Sequence, residues 1–294
     1  MTMIRHLIPL FCLLGLLTRA AGFDVTTTEG QVYNASGIRR DVAKIYFKIP
    51  GSGGGGTIEM GLPIVRIAKV AFPEPPELAL ARAAADKGNA DKVLELTGPF
   101  VASEGQYKDV PGSWWPQMAK LRILALACSG KDLETADLSR EMGAIRTPEA
   151  TSIARGGTLF SALKSGDTQA VIVGAKALPL FGGDAGSPLA QLALGRALLA
   201  KKDYAGAIRA FLAIKVFYPS VSLLQPPAIY GSVACYTGLQ DKRRFAARSE
   251  LAEWPDSPQG IEMAKAKAKA LAAKAASGSP TPTTQKSPAP NPAP

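Results

Sequence analysis

Few side chains in this sequence could do chemistry, and their types limit what that chemistry could be. The 294 residues include one histidine, His6, and three cysteines, Cys12, Cys128 and Cys235. His6 falls in a stretch with the three parts of a secretory signal. Arg5 and His6 form a polar start, Leu7 to Leu17 an apolar run, and Ala20-Ala21-Gly22 a small-residue cleavage region. A mature chain beginning near Phe23 would keep no histidine. It would then have neither a Ser-His or Cys-His nucleophile pair nor a His-ligated metal. The Asp and Glu residues sit at turns and on polar faces, with no paired acidic motif. No catalytic residue, cofactor or metal is expected, and the chain reads as non-enzymatic. The glycine-rich run Gly51 to Gly56 lacks the Lys-Ser/Thr ending of a phosphate-binding loop and no helix follows it, so it reads as a flexible hairpin connection.

Two aromatic residues are candidates for contact with a partner. Trp114 and Trp115 follow a loop rich in Gly and Pro. Exposed, they would be strong binding anchors. Alternatively they pack at the start of a helix, with Ser113 as its cap and Pro116 in its first turn.

The elements that must position these residues fall into five segments. Residues 1–22 form the signal, whose eleven-residue apolar run is too short to span a bilayer core of roughly 30 Å. Phe11 stands where a lipidated Cys12 would need a small residue. The expectation is export, with a periplasmic location and no stable membrane anchor after cleavage. Residues 23–73 alternate in the manner of short strands, at Phe23 to Thr28, Gly30 to Tyr33, Ala43 to Ile49, Thr57 to Met60 and Ile64 to Ile67. They predict a small, curled antiparallel β module. Residues 74–254 are rich in Ala and Leu at helical spacing, residues 255–276 are an Ala/Lys-rich capping helix, and residues 277–294 are a disordered Pro-rich tail.

The helical segment repeats. Its apolar patterns come in pairs joined by short polar turns that end in Asn89, Asp132, Asp167, Asp203 and Asp241, spaced 43, 35, 36 and 38 residues apart. Each of these residues is placed to cap the helix that follows, and where a Gly stands in the turn, as at Gly88, Gly130 and Gly166, it is available for the left-handed end of the helix before it. Five hairpins result. Cys128 and Cys235 fall in the first helices of the second and fifth. Helices stacked about 8–10 Å apart would hold them on the order of 30 Å from each other, far beyond the roughly 7 Å between Cα atoms that a disulfide allows. Two buried free thiols are expected.

One unit carries a sharper signature. From Gly195 the offsets are 12 to Ala207, 16 to Phe211 and 24 to Pro219. This resembles the tetratricopeptide repeat (TPR), whose consensus places Gly, Ala, Phe and Pro at these distances. Residues 187–219 match well, residues 224–255 more loosely, and three earlier hairpins keep the pattern without most of the signature. The resemblance implies a mainly α protein, an α-solenoid of about five TPR-like hairpins behind the β module. It also implies a concave surface that binds protein or peptide, with Arg196 and Tyr236 pointing into the inner groove. The Thr-Thr-x-Glu-Gly-x-x-Tyr and Gly-Leu-Pro-Ile segments of the β module resemble small SH3-like modules.

The net charge of +10 is spread along the chain, without basic clusters interleaved with aromatics, so nucleic acid is not an expected partner. The reading is an exported scaffold for protein–protein interaction in the bacterial cell envelope. The alternatives are cell-wall polymer binding by the β module and basic tail, or an accessory subunit of an envelope enzyme.

Overall fold

The computed structural model describes residues 22–51, 56–180 and 185–277. The signal-like stretch, the centre of the glycine run and the Pro-rich tail lie outside the described residues. A five-stranded antiparallel sheet comes first and eleven helices follow, so the molecule is mainly helical.

The strands are β1 (Phe23–Thr27), β2 (Val32–Asp41), β3 (Lys44–Pro50), β4 (Thr57–Pro63) and β5 (Ile67–Val70), in the spatial order β4-β3-β2-β1-β5. Val25, Ile45, Phe47 and Val70 fill its core. β2 runs well past the segment that alternation predicts. Gly37, at φ 68°, sits where the β2–β3 register shifts between Ser36 and Ile38. The extra residue reverses which face each later side chain takes, so a period-two pattern breaks in mid-strand. The strand expected at Ile64 to Ile67 is instead a single 3-10 turn, Ile64–Arg66, that leads into β5.

The helices pair as predicted. The five hairpins are α1 (Pro76–Asp86) with α2 (Ala90–Ser103), α3 (Trp115–Cys128) with α4 (Asp132–Gly143), α5 (Pro148–Ser165) with α6 (Thr168–Lys176), α7 (Gly186–Ala200) with α8 (Tyr204–Phe217), and α9 (Gln225–Gly238) with α10 (Arg243–Leu251). The last helix, α11 (Pro258–Ser277), is single. All five turns use one hydrogen-bond pattern. The backbone N–H groups of Asn89, Lys131, Asp167, Asp203 and Asp241 donate to the carbonyl five residues earlier at 2.8–3.0 Å. The residue before each (Gly88, Gly130, Gly166, Lys202, Gln240) is left-handed. This is the Schellman ending, which satisfies the last carbonyls of the first helix while reversing the chain.

The side-chain caps follow this pattern in three turns. Asn89, Asp167 and Asp203 accept the N–H of Lys92, Ala170 and Gly206 at 2.9–3.0 Å. The second turn departs from expectation. There the cap position is Lys131, and Asp132 is already the first helical residue, with no capping bond. With position 131 in place of 132 the spacings become 42, 36, 36 and 38. Asp132 is thereby free for another role, described below. In the fifth turn Asp241 accepts the Arg243 N–H at 2.8 Å and also holds the Arg243 guanidinium.

The long first interval docks the β module. Between α2 and α3 a 3-10 turn, Gly105–Tyr107, and Val110 pack into the sheet's core. The Tyr107 hydroxyl donates to the Ile38 carbonyl at 3.2 Å, the Val70 N–H donates to Pro111 O at 2.8 Å, and Arg40 pairs with Asp109.

Close packing between helices depends on small residues. Phe211 lies between α7 and α9, and a Cβ on Gly195 or Gly231 would come within 2.5 or 2.4 Å of its ring. On Gly157 a Cβ would strike Ser139 across the α4–α5 contact. The array also closes on itself. The Cys128 thiol donates to Leu223 O at 2.7 Å and Gln259 Nε2 to Cys128 O at 2.9 Å, tying the second hairpin to the approach of the fifth and to α11. Both cysteines are free and buried, as expected. The straight stack used to separate them is not what the chain forms, because its two ends meet.

Candidate functional site

The structure turns the four candidate contact residues inward. Trp115 is fully buried, and its indole N–H donates to Val101 O at 2.9 Å. Its backbone N–H donates to Ser113 Oγ at 3.2 Å, so Ser113 caps the start of α3 from just upstream. Trp114 is half-buried and ties the helices to the sheet through Phe72 O at 3.0 Å. Tyr236 is buried, with the Arg243 guanidinium 4.8 Å above its ring. Arg196 donates to Ala127 O at 2.7 Å and to Asp132 Oδ1 at 3.2 Å, and it lies 5.7 Å over Phe160. The one-residue shift in the second turn explains this arrangement: Asp132 holds Arg196 instead of capping α4. Burial raises the Asp132 carboxyl above its ordinary range and lowers the Arg196 guanidinium, in each case against the partner's attraction. The four residues are therefore internal ties, and the inner side of the array is occupied by the Leu223 turn.

An open surface lies at the other end of the chain's path. The last helix is rooted firmly and then departs. Ser257, fully buried, accepts the Gly260 N–H at 3.0 Å, and Gln259 is held by the second hairpin. A Cβ on Gly260 would fall 2.1 Å from Trp254 O, so only glycine lets the root of α11 sit this close. The Tyr230 hydroxyl donates to Glu262 at 3.0 Å. Burial, then this bond, hold the Tyr230 phenol above its ordinary range, so the strut keeps its proton at neutral pH. Past Met263 the helix leaves the core, and every side chain from Ala264 to Ala273 is exposed. Its Ala/Lys sequence favours helix without tertiary support.

Between α9 and α10 on one side and α11 on the other is a cleft of about 1120 Å³. Its floor is apolar, with Val233, Leu251 and Met263, and Phe245 stands 57% exposed at its edge. Arg248 lines one wall and Lys267 the other; neither has an ion-pair partner among the described residues. Glu262 is the carboxylate of the cleft, and it is engaged by Tyr230. Among the described residues no three His, Cys, Asp or Glu side chains cluster in a way that could hold a metal. No described helix is long and apolar enough to cross a membrane. The cleft can bury apolar surface and attract anions.

From the sequence, the basic run Lys242-Arg243-Arg244 with Arg248 reads as the wet side of a helix, and α11 as a plain cap. Neither reading reveals the cleft, although one signal was available: Phe245 interrupts an otherwise charged, solvent-facing stretch of α10. Comparison of the chain with protein-family models, with curated proteins and with solved structures found no match in any of the three.

Proposed function

We propose that this chain is a non-enzymatic, exported scaffold that binds protein partners in the cell envelope. Its hairpin array is of the tetratricopeptide kind, and the SH3-like β module serves as a docked partner domain. The shared Schellman turns, the spacing near 36 residues and the seating of Phe211 between Gly195 and Gly231 support that kinship. The observation that carries the function is the preformed apolar cleft between α9, α10 and α11, edged by the exposed ring of Phe245. Apolar surface rimmed by polar groups and held on a rigid frame is the usual makeup of a protein-recognition site. The expected inner groove is the less suitable surface, since Arg196 and Tyr236 are spent on internal contacts.

The test is site-specific photo-crosslinking in the native host. A photoreactive residue at Ser249, inside the cleft, is expected to give discrete protein adducts that are absent when the same residue replaces Val65 on the β module. No protein adduct at Ser249, or identical adducts at both positions, would overturn the reading. Adducts to cell-wall polymer at Val65 alone would favour carbohydrate recognition by the β module.

A further inference from the structure

We infer that the occupant of the α9–α10–α11 cleft is an amphipathic helix of another protein, with acidic side chains flanking its apolar stripe. This rests on the reading of the chain as a protein-binding scaffold and specifies the partner's chemistry.

The first argument is shape. Gln259 on Cys128 O, Ser257 on the Gly260 N–H and Tyr230 on Glu262 fix the angle of α11 at its root. The two walls are thus set apart before any ligand arrives, which lowers the cost of binding. An α-helix is about 10 Å across, so a volume of about 1120 Å³ takes roughly two to three turns of one. Helix-in-groove recognition needs apolar anchors at i, i+3, i+4 and i+7 on the guest, and the floor at Val233, Leu251 and Met263, with Phe245 at its edge, is their complement.

The second argument is charge. Arg248 and Lys267 stand on opposite walls, so a guest helix would meet a cation on each flank. Residues 242–277 carry eight Lys or Arg and four Asp or Glu, a net of +4, which favours encounter with an anionic partner. Other occupants fit less well. Residues 278–294 contain Lys286, no Asp or Glu, and prolines that cannot continue a helix. A second copy, without residues 1–22 and their Arg5 and Arg19, would bring a further net charge of +8 to a basic cleft.

The test uses the full chain. A displayed library of random 16-residue peptides is selected against the protein, with Phe245→Asp as counter-selection. Binding of recovered peptides is then measured by fluorescence anisotropy against the wild type and against Arg248→Glu/Lys267→Glu. The expected result is peptides of net negative charge with apolar residues at helical spacing, whose affinity falls at least tenfold on charge reversal and also falls with added salt. Phe245-dependent peptides that are basic, proline-rich or indifferent to charge reversal would overturn this inference while leaving the cleft as a protein site. Failure to recover any Phe245-dependent peptide would overturn both. A wild-type dimer that Phe245→Asp dissolves, seen by sedimentation, would assign the cleft to a second copy and overturn the inference. If melting shows that Phe245→Asp unfolds the chain, Ser249→Arg blocks the cleft in its place.

Discussion

Gly88, in the turn of the first hairpin, lies against the indole of Trp254 at the exit of the fifth. A Cβ at position 88 would be 2.9 Å from Trp254 Cε3 and 3.0 Å from Pro226 Cγ. The contact closes the array and gives the root of α11 a fixed seat, because Trp254 O is also where Gly260 approaches.

This contact can be separated from backbone strain. Gly88, Gly130 and Gly166 have similar left-handed φ angles of 69°, 70° and 78°, but a Cβ on Gly130 or Gly166 would meet nothing within 4 Å. Alanine at 130 or 166 should cost about 1–2 kcal/mol for the left-handed backbone alone. Alanine at 88 should cost roughly 1–3 kcal/mol more through overpacking. Urea denaturation of the three variants measures the difference, and equal losses would show that the closing contact carries no energy.

The glycine pair around Phe211 predicts non-additivity. Gly195→Ala places a methyl 2.5 Å from the ring and should destabilise by about 1–3 kcal/mol. Phe211→Leu removes the ring and should lose roughly 1–3 kcal/mol of its own. The double variant should be more stable than the sum of the two losses implies, by about 0.5 kcal/mol or more, as expected for residues in contact. A double-mutant cycle by chemical denaturation reads this directly.

Asp132 should give a specific pH dependence. Burial raises its folded pKa above the ordinary 3.8, with Arg196 and then Lys164 pulling the other way. The folded state therefore holds this proton more tightly than the unfolded chain does. Its contribution to stability is complete below 3.8 and is lost as the pH rises through the folded value. The stability advantage of the wild type over Asp132→Asn should shrink as the pH is raised from 3.5 towards 7. An advantage that grew over that range would contradict the burial of this carboxyl.

The thiols should be silent in the native protein. Burial pushes Cys128 up to about 12, with Arg196 opposing, and Cys235 up to about 11. Both are free. Neither should react with a disulfide exchange reagent at pH 8, because the thiolate is the reactive form. Both should react once the chain is unfolded in urea. Rapid native labelling of Cys128 would mean that its bond to Leu223 O, and with it the closure of the array, opens readily.

Cleavage of the N-terminal segment is testable by sequencing the mature protein. The expected N-terminus is at or within a few residues of Phe23, where β1 begins. Recovery of a mature form that still carries His6 would end the argument from signal processing.

The hairpins were legible because their signals are local. An Asn or Asp after a left-handed residue, repeated near every 36 residues, reflects short-range sterics and hydrogen bonds that act within one turn. The same locality limits precision: Asp132 looks like its fellow caps, and one extra residue after Gly130 moves it into the helix, where it meets Arg196 from 64 residues away. β2 was half-read for a similar reason, since the bulge at Gly37 inverts the alternation that marks a strand.

The amino-acid sequence by itself determined the order of elements, the five turns, the small residues that let helices approach and the burial of both cysteines. Each depends on residue type and near neighbours. The tertiary structure alone decided that the ends of the array meet, that Arg196, Tyr236, Trp114 and Trp115 face inward, and that the open surface lies beside α11. The closure and the open surface depend on how hairpins distant in sequence pack against one another, which is encoded in no single segment. That packing brings Gly88 to Trp254 and leaves Phe245 exposed beside a helix that has left the core.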